Sequence, residues 1–386
     1  MASRLLSAVR RRCPLDFDEA RALVVFGPRK TGKTTLLAQR FPHALRYDLL
    51  MSDVRAELRL NPALLRQEVL ARAPKLVILD EIQKVPELLD EAHWLIENTK
   101  TRFILCGSSP RKLKRGAANL LGGRALRTDL FPLVSAELGD FDLGKALNAG
   151  LIPQHYLSKN PDRFLKAYVE QYLQEEIIEE SRIRKLQSFH RFLETAALMN
   201  GELLNYAKVG ADCGVSPKTV REYYQILEDT LIGFSLNPWT RVKTRKLIET
   251  AKFYLFDPGV VRHLKGLPHV PAKTREFGNL FETFLIHEIR AYLAYTHSNL
   301  KLSYWRTTSD FEVDLIVGNM QLAIEFKSTD RVSSDDLKGL RALGQEHSPG
   351  RMLLVCQTPQ PRQLQDGIRC LPCKDFLRQL WAGSLT

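Results

Sequence analysis

The sequence is poor in the features that mark membrane and secreted proteins. No apolar run approaches the roughly 18–20 residues that span a bilayer, so a membrane partner is not expected. Six cysteines are scattered over 386 residues, which argues against a disulfide framework and for a reducing, cytoplasmic setting. Cys370 and Cys373 form one CxxC with no second Cys/His pair nearby. A structural strand end is the plainer reading, metal or redox chemistry the rival. Acidic residues are also in deficit. Against 56 Lys and Arg stand 44 Asp and Glu, leaving a net charge of +12. That excess favours an anionic partner such as nucleic acid.

What is present fits a soluble globular chain of two or three domains, with 44% hydrophobic and 26% charged residues. The basic amphipathic start, MASRLLSAVRRR, reads as a short first helix or as a transit peptide. Acidic residues return at Asp16, and the first core strand begins near Ala22, which favours the helix.

Residues 22–41 run as an apolar strand, a glycine-containing loop and a helix. Inside lies G-x-x-x-x-G-K-[ST], formed by Gly27, Pro28, Arg29, Lys30, Thr31, Gly32, Lys33 and Thr34, with Thr35 following. Such a loop turns backbone N–H groups toward phosphates, and glycine permits the close approach. The lysine reaches the β- and γ-phosphates, the threonine hydroxyl faces magnesium, and the helix N-terminus adds its dipole. The stretch KLVILDEIQ, 75–83, is a continuous apolar run ending in two acids, as a strand covered on both faces would be. Asp80 is placed to hold the magnesium shell and Glu81 to polarise the attacking water. RFILCGSSP, 102–110, ends in Ser108 and Ser109, either of which suits a γ-phosphate sensor or a plain strand-end turn. Arg124, after Gly122 and Gly123, is a candidate arginine finger acting across a subunit interface. Arg127 is its rival, and a solvated surface arginine the bland alternative.

From Asp162 to about Lys185 the pattern is helical, with Phe164, Leu165, Tyr168, Val169, Tyr172 and Leu173 on the apolar face. In 202–236 a helix ends around Gly210–Gly214. Ser216 is a plausible N-cap, Pro217 sits at the first helical position, and Val220, Tyr223, Tyr224 and Leu227 form a core stripe. This is helix-turn-helix grammar. The strand expected at 231–236, the basic RVKTRK and a strand at 252–257 make it a winged helix. Lys218, Arg221, Arg241, Lys243, Arg245 and Lys246 are candidate DNA-backbone contacts, although winged helices also serve as protein interfaces.

FEVDLIVGNMQLAIEFK, 311–327, reads as a hairpin closed by Gly318-Asn319. In that register Val317 faces Met320, Asp314 lies opposite Ala323, and Glu312 opposite Glu325. Alternation then gathers Glu312, Asp314, Glu325 and Lys327 on one face. Upstream, a helix over 278–295 sets Glu282 among Leu285, Ile286 and Ile289. The three carboxylates Glu282, Asp314 and Glu325 are a candidate metal set. A salt-bridge cluster is the alternative.

Taken together, GPRKTGKTTLL, LVILDEIQ, FILCGSSP, LLGGRALRTDLFPL, AKFYLFDPGVV, FGNLFETFLIHEI and EVDLIVGNMQLAIEFK resemble, in order, the prokaryotic AAA-type ATPases that carry a nuclease-like C-terminal domain. The resemblance covers the chain from about residue 20 onward. It implies an α/β fold: a P-loop AAA-type ATPase domain (1–160), a winged-helix middle (161–262) and a C-terminal restriction-endonuclease-like domain of the PD-(D/E)XK type (263–386). It implies Mg-dependent ATP hydrolysis, and Mg or Mn at Glu282, Asp314 and Glu325 with Lys327 as the nuclease-like lysine. It also implies a homo-oligomer acting on DNA, with branched DNA such as Holliday junctions as the substrate guess. The alternative is a nucleotide-dependent switch whose nuclease-like domain only binds a partner. Cys106 stands where the family pattern would place threonine.

Overall fold

The computed structural model of the chain describes residues 9–109, 124–173, 186–240 and 250–385. Its first half is built on five parallel strands: β1 (Ala22–Phe26), β2 (Leu45–Asp48), β3 (Leu76–Asp80), β4 (Arg102–Gly107) and β5 (Ala125–Asp129), in the spatial order β2-β3-β4-β1-β5. Both faces are covered, as the unbroken apolar runs require. Successive β1 side chains divide between the faces. Leu23 and Val25 pack with Leu36, Leu37, Ile78 and Ile104 under helix α1 (Lys33–Arg40). Val24 and Phe26 pack on the other face with Leu79 and Phe103, against helices α2 (Ser52–Leu60), α3 (Ala63–Arg72) and α4 (Leu88–Asn98).

The middle is helical: α5 (Leu143–Ala149), α6 (Pro153–Tyr156), α7 (Pro161–Ala167), α8 (Leu186–Leu198), α9 (Tyr206–Cys213) and α10 (Pro217–Asp229). After α7 the chain continues as a π-helical turn, Tyr168–Leu173. Ser216 caps α10, its hydroxyl accepting from the Thr219 N–H at 3.2 Å, with Pro217 at the first helical position. The stripe Val220, Tyr223, Tyr224 and Leu227 is buried as the periodicity predicts. Helix α9 runs through Gly210 to Cys213 and is closed by left-handed Gly214 (φ 68°), within the turn expected around Gly210–Gly214. A Cβ on Gly210 would stand 2.7 Å from the Val215 carbonyl oxygen, so this glycine lets the turn pack on the helix.

Strands β6 (Gly233–Pro238) and β7 (Lys252–Leu255) pair antiparallel, as expected of a hairpin after α10. They do not stand alone. After α11 (Pro258–Leu264) and the 21-residue α12 (Arg275–Tyr295) come β8 (Leu302–Arg306), β9 (Glu312–Val317), β10 (Leu322–Phe326), α13 (Lys338–Glu346), β11 (Met352–Cys356), β12 (Arg362–Gln363), β13 (Arg369–Pro372) and α14 (Cys373–Trp381). Strand β6 lies parallel to β8, giving one eight-stranded sheet ordered β12-β13-β11-β10-β9-β8-β6-β7. The sheet therefore runs across residue 262. Helices α12 and α14 cover one face and α13 the other.

The short helix expected over 1–12 lies mostly outside the described residues; the described segment from Val9 to Asp16 is irregular. Arg11 accounts for that locally, because its guanidinium is committed to carbonyls far along the chain. The hairpin register is displaced from the expected one. Val317 pairs with Leu322 and Leu315 with Ile324, so four residues close the turn, with Gly318 (φ 66°) and Met320 (φ 67°) left-handed. Continuing that register sets Asp314 opposite Glu325 rather than Ala323.

Candidate functional site

The loop from Gly27 to Gly32 leaves the carboxyl end of β1, where ligands bind in open α/β sheets. Its curvature needs left-handed backbone at Lys30 (φ 66°) and Gly32 (φ 94°). Gly27 passes so close to the chain after β5 that a Cβ would collide with the Leu130 carbonyl oxygen. Lys33 is buried, and its ammonium donates to the carbonyls of Gly27 at 2.6 Å and Pro28 at 3.0 Å. Thr31 is tied inward by its hydroxyl to Pro28 O at 2.8 Å. Thr34 stands exposed in the first turn of α1.

Asp80 ends β3 in register with Cys106 of β4, which is itself level with Val25 of β1. Glu81 therefore comes out one row above, level with Gly107, and Ser108 one row further. Asp80 is 1% exposed, and its Oδ1 has no hydrogen-bond partner within the protein. A buried carboxylate oxygen left so is costly. It suits a cation shell, so the residues fit magnesium with a nucleotide. Burial pushes the Cys106 thiol well up, and Asp80 and Glu81 push it further, so it stays a neutral neighbour of the carboxylates. Glu81 is left-handed (φ 59°, ψ 45°), which costs a non-glycine residue about 1–2 kcal/mol. Gln83, absent from the sequence reading, donates its amide to Glu81 Oε2 and to Ser108 Oγ at 3.0 Å. Ser109 faces the other way, its hydroxyl donating to Asp229 O at the end of α10.

Arg124 is not brought to this loop. It precedes β5 at the amino end of the sheet, exposed and paired with Glu97 at 2.6 Å. Arg127 pairs with Asp129 at 2.8 Å.

The second cluster surrounds the 312–327 hairpin. On β8, Ser303 pairs with Ile316 but Trp305 with Val313, so Asp314 and Leu315 both oppose Tyr304. Such a bulge re-aims the bulged side chains. It breaks the expected alternation, because Val313 and Ile316 both pack on the α13 side. Asp314 accepts the Phe326 N–H at 2.8 Å, closing the ladder where main-chain pairing stops. Glu325 pairs with Lys327 at 2.7 Å through Oε1, and its Oε2 is buried without a partner. Glu282 accepts from the Tyr254 hydroxyl at 2.6 Å. Burial and the Asp314 carboxylate push Glu282 up to about 7, and the same two causes raise Glu325 well above the usual range. Lys252 of β7 pairs with Glu312, which also meets Arg306 at 3.2 Å. Burial alone would lower Lys252, but Glu282, Asp314 and Glu312 outweigh it and raise it.

Among the described residues no three carboxylate, histidine or cysteine side chains converge to hold an ion, so the metal expectation at Glu282, Asp314 and Glu325 gains no support. The Tyr254 hydroxyl bonds Glu282, the Phe326 N–H bonds Asp314, and Lys327 pairs with Glu325 Oε1. Of the candidate DNA contacts, Lys218 and Arg221 are exposed on α10, with Arg221 4.9 Å over the Tyr206 ring. Arg241, Lys243, Arg245 and Lys246 lie outside the described residues. Cys370 and Cys373 are buried where β13 gives way to α14.

Residues 19–139 match a family model described as an AAA domain. That match covers about the first third of the chain, the part that carries the loop 27–34, and it is to this family that the N-terminal domain is similar. Residues 140–270 and 277–376 match models described as domains of unknown function, DUF8612 and DUF4143. Uncharacterized proteins Rv2008c of Mycobacterium tuberculosis and Mb2031c of Mycobacterium bovis are each 25% identical over 369 residues, 93% of this chain and 81% of theirs. Uncharacterized protein MJ1544 of Methanocaldococcus jannaschii is 22% identical over 328 residues, 76% of this chain and 71% of its own. A solved signal-transduction ATPase with numerous domains (STAND) and a tetratricopeptide repeat sensor, from Pyrococcus horikoshii, aligns at 16% identity and a TM-score of 0.22. The alignment covers 76% of this chain and about half (49%) of that one.

The ATPase domain is bolted to the C-terminal sheet through the segment after β5. Arg11 donates to Thr31 O and Phe131 O, both at 2.6 Å, and pairs with buried Glu137 at 2.8 Å. Helix α12 meets the same segment from the other side. Tyr295 OH accepts the Phe131 N–H at 3.2 Å, and His287 Nε2 donates to Leu133 O at 3.0 Å. Glu288 accepts Ser135 N–H at 2.7 Å, Ser135 O–H at 2.8 Å and the Trp381 indole N–H at 2.6 Å. Arg290 lies over Phe234 at 3.5 Å and Phe131 at 5.4 Å. One helix thus runs from Glu282, in the carboxylate cluster, to Tyr295, behind the phosphate loop. Apart from Arg11 with Thr31 and Arg290 with Phe234, these partners lie more than 80 residues from their mates, and none is signalled in the sequence.

Proposed function

We propose that the protein is a nucleotide-dependent switch that binds and hydrolyses Mg-ATP at the loop 27–34 and passes the nucleotide state to its middle and C-terminal regions. The carrying observation is the buried, unpartnered Asp80 Oδ1, one row below Glu81 and beside the loop that Lys33 closes. When bound there, magnesium would supply positive charge against the phosphates. Asp80 and Thr34 would hold its shell. Lys33 would leave the Gly27 and Pro28 carbonyls for phosphate oxygens. Glu81 would orient and deprotonate water, with Ser108 reading the γ-phosphate. Turnover of Mg-ATP by the full chain tests this. Lys33→Ala should lower it about 100-fold, and an unchanged rate would sink the reading.

A second reading keeps the winged-helix and nuclease-like ancestry and makes DNA the partner, gripped rather than cut. It is favoured by Lys218 and Arg221, exposed on the helix after a capped turn, and by the +12 charge. Binding of four-way, forked and linear duplexes should weaken steeply with salt, because lysine and arginine contacts release counterions. Affinity that stays flat from low to moderate salt would remove DNA from the account. Arg124, exposed at the sheet's amino end, could serve a neighbouring subunit in a homo-oligomer. Sedimentation with ATP should then show assembly that Arg124→Ala uncouples from turnover.

A further inference from the structure

Gln83 is 3% exposed in the short turn Ile82–Lys84 that follows the acids of β3. Its amide nitrogen donates to both Glu81 Oε2 and Ser108 Oγ. A carboxylate only accepts, so the nitrogen must face Glu81 and the orientation of the amide is settled. Both amide hydrogens are then used, and the plane is held between the end of β3 and the end of β4. The other end is equally confined. Gln83 Oε1 is buried without a donor, over Gly107, where a Cβ would stand 2.5 Å from it. Glycine at 107 makes the space this side chain needs. Glu81 has no freedom to spare in its backbone, which is already left-handed. Among the described residues, Gln83 is the side chain that holds its carboxylate. The same amide touches Ser108, whose neighbour Ser109 is bonded to the last turn of α10.

We infer that Gln83 is a positioning residue for ATP hydrolysis: it acts through Glu81, fixing that carboxylate relative to the Ser108 hydroxyl. This rests on the ATPase reading above. It adds a residue that does not touch phosphate and couples the hydrolytic acid to the strand end facing the middle region.

The test is steady-state Mg-ATP turnover by the full chain carrying Gln83→Ala, Gly107→Ala, Glu81→Ala, and Gln83→Ala with Glu81→Ala. A hydrogen bond to a charged group converts to a loss of about 10- to 100-fold in kcat for Gln83→Ala, with KM within about threefold of wild type. Gly107→Ala, which crowds the amide without removing it, should fall in kcat in the same direction. It serves as the second probe if Gln83→Ala folds poorly. The double variant should match Glu81→Ala alone, because a residue acting through Glu81 has nothing left to position. Wild-type kcat in both Gln83→Ala and Gly107→Ala would overturn the inference. So would a double variant slower than Glu81→Ala by the full Gln83 factor. A wild-type chain with no turnover is a separate outcome, and it would overturn the ATPase reading and this inference together.

Discussion

Glu288 shows how a single buried side chain ties stability to pH. It is fully buried, and burial pushes it up to about 7 although three donors pull the other way. The carboxyl is therefore protonated in the folded chain over a range where the unfolded chain, near 4.5, has released the proton. The stability this adds is complete below about 4.5 and is lost as pH rises toward 7. Wild type relative to Glu288→Gln should accordingly lose about 2–3 kcal/mol between pH 4.5 and 8. Urea unfolding of both proteins at a series of pH values measures it. A difference independent of pH would mean that Glu288 is charged in the fold. Arg11 is the other instructive residue. Glu137 beside it is completely buried, so Arg11→Ala leaves a carboxylate without its ion pair. The expected cost is about 3–5 kcal/mol in denaturant unfolding. A cost under about 1 kcal/mol would show that water reaches Glu137.

Among elements, legibility followed locality. The loop 27–34 and the ends of β3 and β4 were readable because their chemistry lies in contiguous residues with a strand before and a turn or helix after. Helix α10 was readable through Ser216, Pro217 and its buried stripe. The 312–327 hairpin was readable as a hairpin but not in register. Gly318-Asn319 looks like a complete two-residue turn, while the structure adds Met320 and Gln321. The slip of two would have kept each side chain on its face, but the bulge at Asp314 and Leu315 did not. Gln83 carried a faint signal, an amide two residues after the acid, whereas Lys252 and Tyr254 carried none. They reach Glu282 and Glu312 only because β6 joins β8. The turn at Gly150 tests one such long-range element. Its φ is +76°, and a Cβ would collide with Asp257 Oδ1, which with Oδ2 holds the N–H groups of Val260 and Leu151. Gly150→Ala should cost about 2 kcal/mol or more, from strain and overpacking together. Thermal melting would show it, and an unshifted midpoint would mean the turn can rearrange.

Among the described residues, the segment after β5 and helix α12 link the two sheets, with α10 and α14 touching the first half as well. The segment 130–138 lies behind the phosphate loop, and α12 connects it to the carboxylate–lysine cluster. That arrangement would give the proposed switch a route between its ends. The cluster itself sets Lys252 and Lys327 among its carboxylates. The measurement that bears most directly on this account is Mg-ATP turnover by the full chain against magnesium concentration, for wild type and Asp80→Asn. The account predicts saturable, magnesium-dependent turnover in wild type and a loss of about 100-fold in Asp80→Asn at every magnesium level. Equal turnover in the two proteins would contradict it.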